Sequence, residues 1–188
     1  DQMFLDCFGC DIDYSLGKNF ADFADQFSKD SRYRTELYKL RRKFMSHADG
    51  LIHADLHTSN IMASRDKMKV IDMEFAFMGP FGYDLGYLVG NLISQYCAAC
   101  FKRFPSEQSR KQFKAYLLAT IKSLIETYMK TFTLCWEKSV KERYRGQQGL
   151  LQSILQEVME DVPGYASMVN WFRSVSEIPY PDFDIIED

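Results

Sequence analysis

No stretch of this 188-residue chain stays apolar for the ~18 residues a membrane-spanning helix needs, so no span is expected. Nothing near the N-terminus has the pattern of a secretion signal, although the chain begins at Asp1 and a leader could precede it. Neither sign of charge dominates. The 23 Lys and Arg against 26 Asp and Glu leave a net charge of −3, which argues against a nucleic-acid-binding face. Cysteine is sparse and odd in number, at positions 7, 10, 97, 100 and 135, which fits a reducing cytoplasm better than a disulfide framework. Two C-x-x-C pairs raise a zinc site, but no histidine stands at ligand spacing near either. Cys97 and Cys100 lie three apart in an apolar helical pattern and are expected to share one buried or half-buried face. There is no internal repeat and no low-complexity segment. What remains, 46% apolar and 26% charged, is the composition of one globular domain with a real core.

The chain is organised around residues 51–86, LIHADLHTSNIMASRDKMKVIDMEFAFMGPFGYDLG. Short apolar runs bounded by turn signals read as short strands. The order is strand, polar loop (His53, Asp55, His57, Asn60), strand, the turn Arg65-Asp66-Lys67, a strand over Met68 to Ile71, then Asp72 and Glu74. Asp72 and Glu74 alternate in an extended reading, which points both at one ion or at two neighbouring ions. An Asp that orients a hydroxyl, an Asn five residues on and a second Asp after a later strand form a set suited to phosphoryl transfer. Mg²⁺ takes hard oxygen ligands, commonly one or two carboxylates plus substrate phosphates. Asp55 is thus the candidate catalytic residue, and Asp72, Glu74 and Asn60 are candidate metal ligands. His53 reads as a structural histidine bonding the loop backbone. His57 stands between loop support and substrate contact. Asp84 opens the next helix, where it either caps backbone N–H groups or braces the loop.

H-x-D-L-H-x-x-N followed by I-D-x-E resembles the aminoglycoside phosphotransferase and choline kinase group of small-molecule kinases. The longer run VIDMEFAFMGPFGYDLGYLVGNLI is similar to the methylthioribose kinase branch of that group, and the likeness is strongest over 51–93. The resemblance implies an α+β, mostly helical fold: a protein-kinase-like C-terminal lobe whose small β element carries the catalytic loop. It implies ATP and Mg²⁺ as cofactors and a small-molecule substrate phosphorylated on a sugar or alcohol hydroxyl, methylthioribose first. A homodimer stays open as a partner. Three departures bear on the substrate. The branch carries an Arg pair near the end where this chain has Phe172-Arg173, so Arg173 alone is left as a substrate contact. It tends to Ser where this chain has Asn60, and to Gly where it has Ala54. An inactive lobe that binds a protein or metabolite is the rival reading, as is a kinase for an amino alcohol or aminoglycoside.

Elsewhere the patterns are helical. Asn19 is placed to cap a helix over 20–27, and Ser31 one running to about His47 with Leu37, Leu40 and Phe44 inward and Arg34, Lys39, Arg41, Arg42 and Lys43 mostly outward. A buried helix is expected from Asp84 to about Phe101, and a long one from Ser106 to about Glu142. Leu150 to Met159 forms another, Pro163-Gly164 a turn, and 165–176 a last helix that Pro179 and Pro181 end. Before His53 there is no G-x-G and no V-A-x-K-like strand. Residues 1–188 therefore read as a single C-terminal lobe without its nucleotide lobe, a fragment cut at both ends and expected to be inactive alone.

Overall fold

The computed structural model describes Gln26 and residues 29–175. The expected helix over 20–27, Cys7, Cys10 and the tail prolines lie outside the described residues, apart from Gln26. Helix α1 (Ser31–Ser46) leads into β1 (Gly50–Ile52), a 3₁₀ turn (Thr58–Asn60), β2 (Ile61–Ala63), β3 (Met68–Val70) and β4 (Phe77–Gly79). Three helices follow: α2 (Gly82–Ala98), α3 (Glu107–Ser139) and α4 (Gln148–Val175). The fold is α+β and mostly helical, as expected. Its strands form two separate antiparallel pairs, β1 with β4 and β2 with β3. β4 was not anticipated. It pairs Gly50 with Gly79 and Ile52 with Phe77, and so closes residues 53–76 into one long excursion from a two-stranded base.

Several boundaries move for local reasons. Asp30, not Ser31, caps α1: its carboxylate accepts from the N–H of Arg32 at 2.8 Å and of Tyr33 at 3.3 Å. An acid suits that place, because the helix N-terminus carries partial positive charge. Lys43 is not outward. Its ammonium is mostly covered and bridges Glu157 and Asp161 of α4, tying α1 to the last helix. Helix α2 begins at Gly82, so Asp84 lies inside its first turn and does not cap it. The largest correction is α4, one helix through Pro163-Gly164. Proline there removes the N–H that the Met159 carbonyl would use, at about 3 kcal/mol. Burial offsets it: Val158, Val162, Tyr165, Ala166, Met168 and Val169 are all enclosed.

The core has two lobes on either side of α2. Tyr83 and Tyr87 join Leu37, Ile52, Tyr165, Met168, Val169 and Trp171. Leu85 and Val89 join Val158, Val162 and Ala166, with Ile121, Leu124, Ile125 and Tyr128 of α3 against them. Helices α2 and α4 approach closely because Gly86 and Gly90 face α4. A Cβ on Gly90 would lie 2.8 Å from the Ala166 carbonyl oxygen and 3.0 Å from its Cα. Those are backbone atoms and cannot swing away. Gly90→Ala is expected to destabilise the protein by about 1–3 kcal/mol through overpacking, even though alanine gains about 1 kcal/mol in helix propensity. Urea unfolding of the variant decides between these terms; an unchanged or raised midpoint would show that α2 and α4 can separate cheaply.

Candidate active site

Loop 53–60 leaves β1 and is held from three directions. From below, the Asp84 carboxylate accepts two adjacent backbone N–H groups, His53 at 2.6 Å and Ala54 at 2.9 Å. From the side, His53, 5% exposed, bonds at both ring nitrogens. Its Nδ1 faces the Asp55 N–H at 3.3 Å and its Nε2 the Ile71 carbonyl at 2.8 Å. Both bonds form at once only if the ring is neutral with its proton on Nε2. From behind, Asn91 of α2, 1% exposed, accepts with its Oδ1 from the Thr58 hydroxyl at 2.7 Å and the Thr58 N–H at 3.3 Å. Asn91 was absent from the expected site. Its signal was a lone amide in an apolar helix, since a buried polar group needs partners.

Within the loop, the Asp55 carbonyl accepts from the His57 N–H at 3.0 Å and from the Asn60 Nδ2 at 3.1 Å. That second bond turns the buried Asn60 amide so that its Oδ1 is the atom left to coordinate. The His57 Nε2 lies 3.4 Å from the Asp55 Oδ2, and both side chains are about a quarter exposed. The carboxylate of Asp55 is therefore open to a ligand and flanked by an imidazole. Ile71 N donates to the Asn60 carbonyl at 3.0 Å while its own carbonyl meets His53. Asp72 thus follows directly from a residue bonded twice to the loop.

The extended reading of Asp72 and Glu74 does not hold. Asp72 has φ +64°, in the left-handed region, and Glu74 sits in a turn closed by Ala76 N to the Met73 carbonyl at 3.1 Å. Strand alternation therefore no longer argues for a shared direction. Asp is among the few residues that tolerate that backbone. Both carboxylates are exposed. Among the described residues no three His, Cys, Asp or Glu side chains form a ready-made metal cluster. Hard oxygens on Asp72, Glu74 and Asn60 still fit an ion that draws its other ligands from phosphates and water. Arg173 lies in the last turn of α4, 9% exposed. Phe172 beside it packs on the same core cluster as Ala54.

Ala54 stands at φ +68°, where a Cβ costs about 1–2 kcal/mol. Glycine removes that strain but adds about 0.5–1 kcal/mol of unfolded-chain entropy. Ala54→Gly is expected to raise stability slightly, by up to about 1 kcal/mol. Thermal unfolding checks this, and a lowered midpoint would show that the Ala54 methyl earns more by packing than it loses in strain.

Residues 13–124 match the phosphotransferase enzyme family, and the chain belongs to that family. It is 32% identical over its whole length to the methylthioribose kinase of Geobacillus sp. (strain WCH70), of which it covers 44%. It is 35% identical over 84% of its length to that of Geobacillus thermodenitrificans, covering 37% of the relative. Over 58% of its length it is 38% identical to methylthioribose kinase 1 of Oryza sativa, covering 25% of it. The chain thus spans less than half the length of the curated relatives it matches.

Proposed function

We propose that this chain is the catalytic, acceptor-side lobe of an ATP-dependent kinase that phosphorylates a hydroxyl of methylthioribose. The observation that carries the reading is that Asp55, Asn60 and residue 71 are bonded into one unit while the Asp55 carboxylate stays open. Phosphoryl transfer asks little covalent chemistry of the protein; it asks for position and charge. Asp55 accepts a hydrogen bond from the acceptor hydroxyl and orients its oxygen at the γ-phosphorus. A carboxylate is too weak a base to ionise an alcohol beforehand, so Asp55 takes the proton late, as the new O–P bond forms and ADP leaves. Asp72, with Asn60 Oδ1 and Glu74, would hold Mg²⁺, which would neutralise charge on the phosphates. His57 and Arg173 serve the acceptor side, and His53 and Asp84 hold the loop.

Leu51, Met62, Met68, Val70, Met73, Phe75 and Met78 are large apolar residues left exposed on the strands and the loop beside the site. They supply a surface on which the nucleotide base and the rest of a longer protein would pack. No helix among the described residues is long and apolar enough to cross a membrane. A reducing cytoplasm, where ATP is abundant, suits the three exposed free thiols Cys97, Cys100 and Cys135. The test is ADP release by the full-length protein with ATP, Mg²⁺ and methylthioribose, beside choline and an aminoglycoside. Saturable turnover of methylthioribose above the others is expected. Turnover of another acceptor alone would move the substrate, and turnover of none would favour an inactive lobe.

A further inference from the structure

The Cys97-x-x-Cys100 pair is a motif that the proposed phosphoryl transfer leaves unused. Both thiols are free and exposed at the C-terminal end of α2, contrary to the buried or half-buried face their spacing suggested. Helix α2 ends at Ala98; Ala98 and Ala99 between the two cysteines are buried, while both thiols face outward. Cys97 opens onto a cleft of about 610 Å³ between α2, α3 and α4, roomy enough for a small oxidant. The Cys100 N–H donates to the Cys97 carbonyl at 3.0 Å, so the chain turns tightly between them. Helix geometry puts Cα atoms three apart at about 5 Å, inside the roughly 4.4–6.8 Å that a disulfide spans. The Cβ atoms, about 5–6 Å apart in a regular helix, must close by about 1–2 Å. Cys100 lies beyond the last helical residue and can supply that shift.

The second observation comes from α3. Lys114 reaches across to α2, donating from Nζ to the Cys100 Sγ at 3.3 Å, and lies 4.2 Å from the centre of the Tyr96 ring. The hydrogen bond to Cys100 is the largest influence holding this lysine in its charged form. The carbonyls at a helix C-terminus carry roughly −0.5 elementary charge and oppose a sulfur anion. The Lys114 ammonium sets a positive charge within hydrogen-bond distance of the sulfur. Cys135, exposed on α3, has no such lysine hydrogen bond among the described residues and is an internal comparison.

We propose that Cys100 is a peroxide-reactive thiol seated against Lys114, and that Cys97 resolves it as a reversible disulfide. The thiolate of Cys100 attacks one oxygen of hydrogen peroxide: the S–O bond forms, the O–O bond breaks and hydroxide leaves. The sulfur is oxidised to a sulfenic acid and the peroxide is reduced. The Cys97 thiol then attacks that sulfur, the S–S bond forms, and the sulfenic oxygen departs as water with the thiol proton. A dithiol reductant reverses the bond by exchange.

The site is independent of the kinase reading, and its test does not use activity. The full-length protein is treated with hydrogen peroxide, quenched with N-ethylmaleimide and digested for peptide mass analysis. Cys97 and Cys100 should lose alkylation together, in a peptide lighter by two hydrogen atoms, well before Cys135 reacts, and dithiothreitol should restore both. Cys97→Ser should instead accumulate a dimedone-trappable sulfenic acid on Cys100. Lys114→Gln should slow oxidation of Cys100 by roughly three- to five-fold, the scale of a surface charge contact. Oxidation of Cys135 at the same rate as Cys100, an unchanged rate in Lys114→Gln, or no joined peptide in the wild type would overturn the proposal.

Discussion

Asp55→Asn in the full-length protein is expected to remove most turnover while leaving nucleotide affinity nearly unchanged. The backbone around position 55 is fixed by bonds that the substitution does not touch: the Asp55 N–H to His53 and the Asp55 carbonyl to His57 and Asn60. The loop should therefore keep its shape, and what changes is one side-chain oxygen. Asparagine can still accept a hydrogen bond from the acceptor hydroxyl, but it cannot take up the proton. A positioned acid–base group contributes about 10²–10⁴-fold in rate, or roughly 3–5 kcal/mol of barrier. Asp72→Asn should behave differently. It removes charge from the proposed metal site, so Mg²⁺-dependent ATP binding and turnover should fall together. Steady-state kinetics with saturating acceptor, and ATP titrations with and without Mg²⁺, separate the two. Near-normal turnover of Asp55→Asn would remove it from the catalytic role. Two variants alike in metal dependence would undo the division of labour while leaving the site itself standing.

How much of this was legible beforehand depends on how local the cause is. The loop from His53 to Asn60 was legible as a polar stretch between two short apolar runs, and the structure places it between β1 and β2. The acidic pair was legible as residue types but not as geometry. Alternation assumes an extended backbone, and Asp72 leaves the extended region altogether. The break expected at Pro163-Gly164 failed for the opposite reason. A local cost of a few kcal/mol is overridden where α4 buries Tyr165, Met168 and Val169 completely. Gly164 in that helix faces α1, where a Cβ would meet the Leu40 Cδ1 at 2.5 Å. β4 is three residues long and acquires meaning only from its partner β1. The exposure of Cys97 and the reach of Lys114 to Cys100 depend on where α3 crosses α2, which no spacing rule encodes.

Asp84 is the case where the sequence left two roles and the folded chain takes one, and its removal should produce the largest loss of stability. Asp84→Ala would leave the N–H groups of His53 and Ala54 without their side-chain acceptor, in a partly buried part of the molecule. An orphaned buried donor costs about 1–3 kcal/mol, so this partly buried pair amounts to at most about 2–6 kcal/mol. Asp84→Asn should lie between, because its amide offers one acceptor and turns a donor toward the other N–H. Ionisation does not supply this stability. Burial pushes the Asp84 carboxyl above the ordinary carboxylate range, with the two N–H bonds and His53 pulling the other way. For an acid whose pKa rises on folding, the electrostatic contribution is full below the unfolded value near about 4. It is lost as pH climbs through the folded value. Charged Asp84 is thus a net electrostatic cost at neutral pH, and the bonded geometry of the loop is what it secures. In the wild type this one group should favour the folded state more at acid pH than at neutral pH, and Asp84→Asn should remove that increment. Amide exchange at His53 and Ala54 reads the brace directly: both should be protected in the wild type and fast in Asp84→Ala. Protection that survived in Asp84→Ala would mean that β1 pairing and the His53 ring hold the loop without the carboxylate.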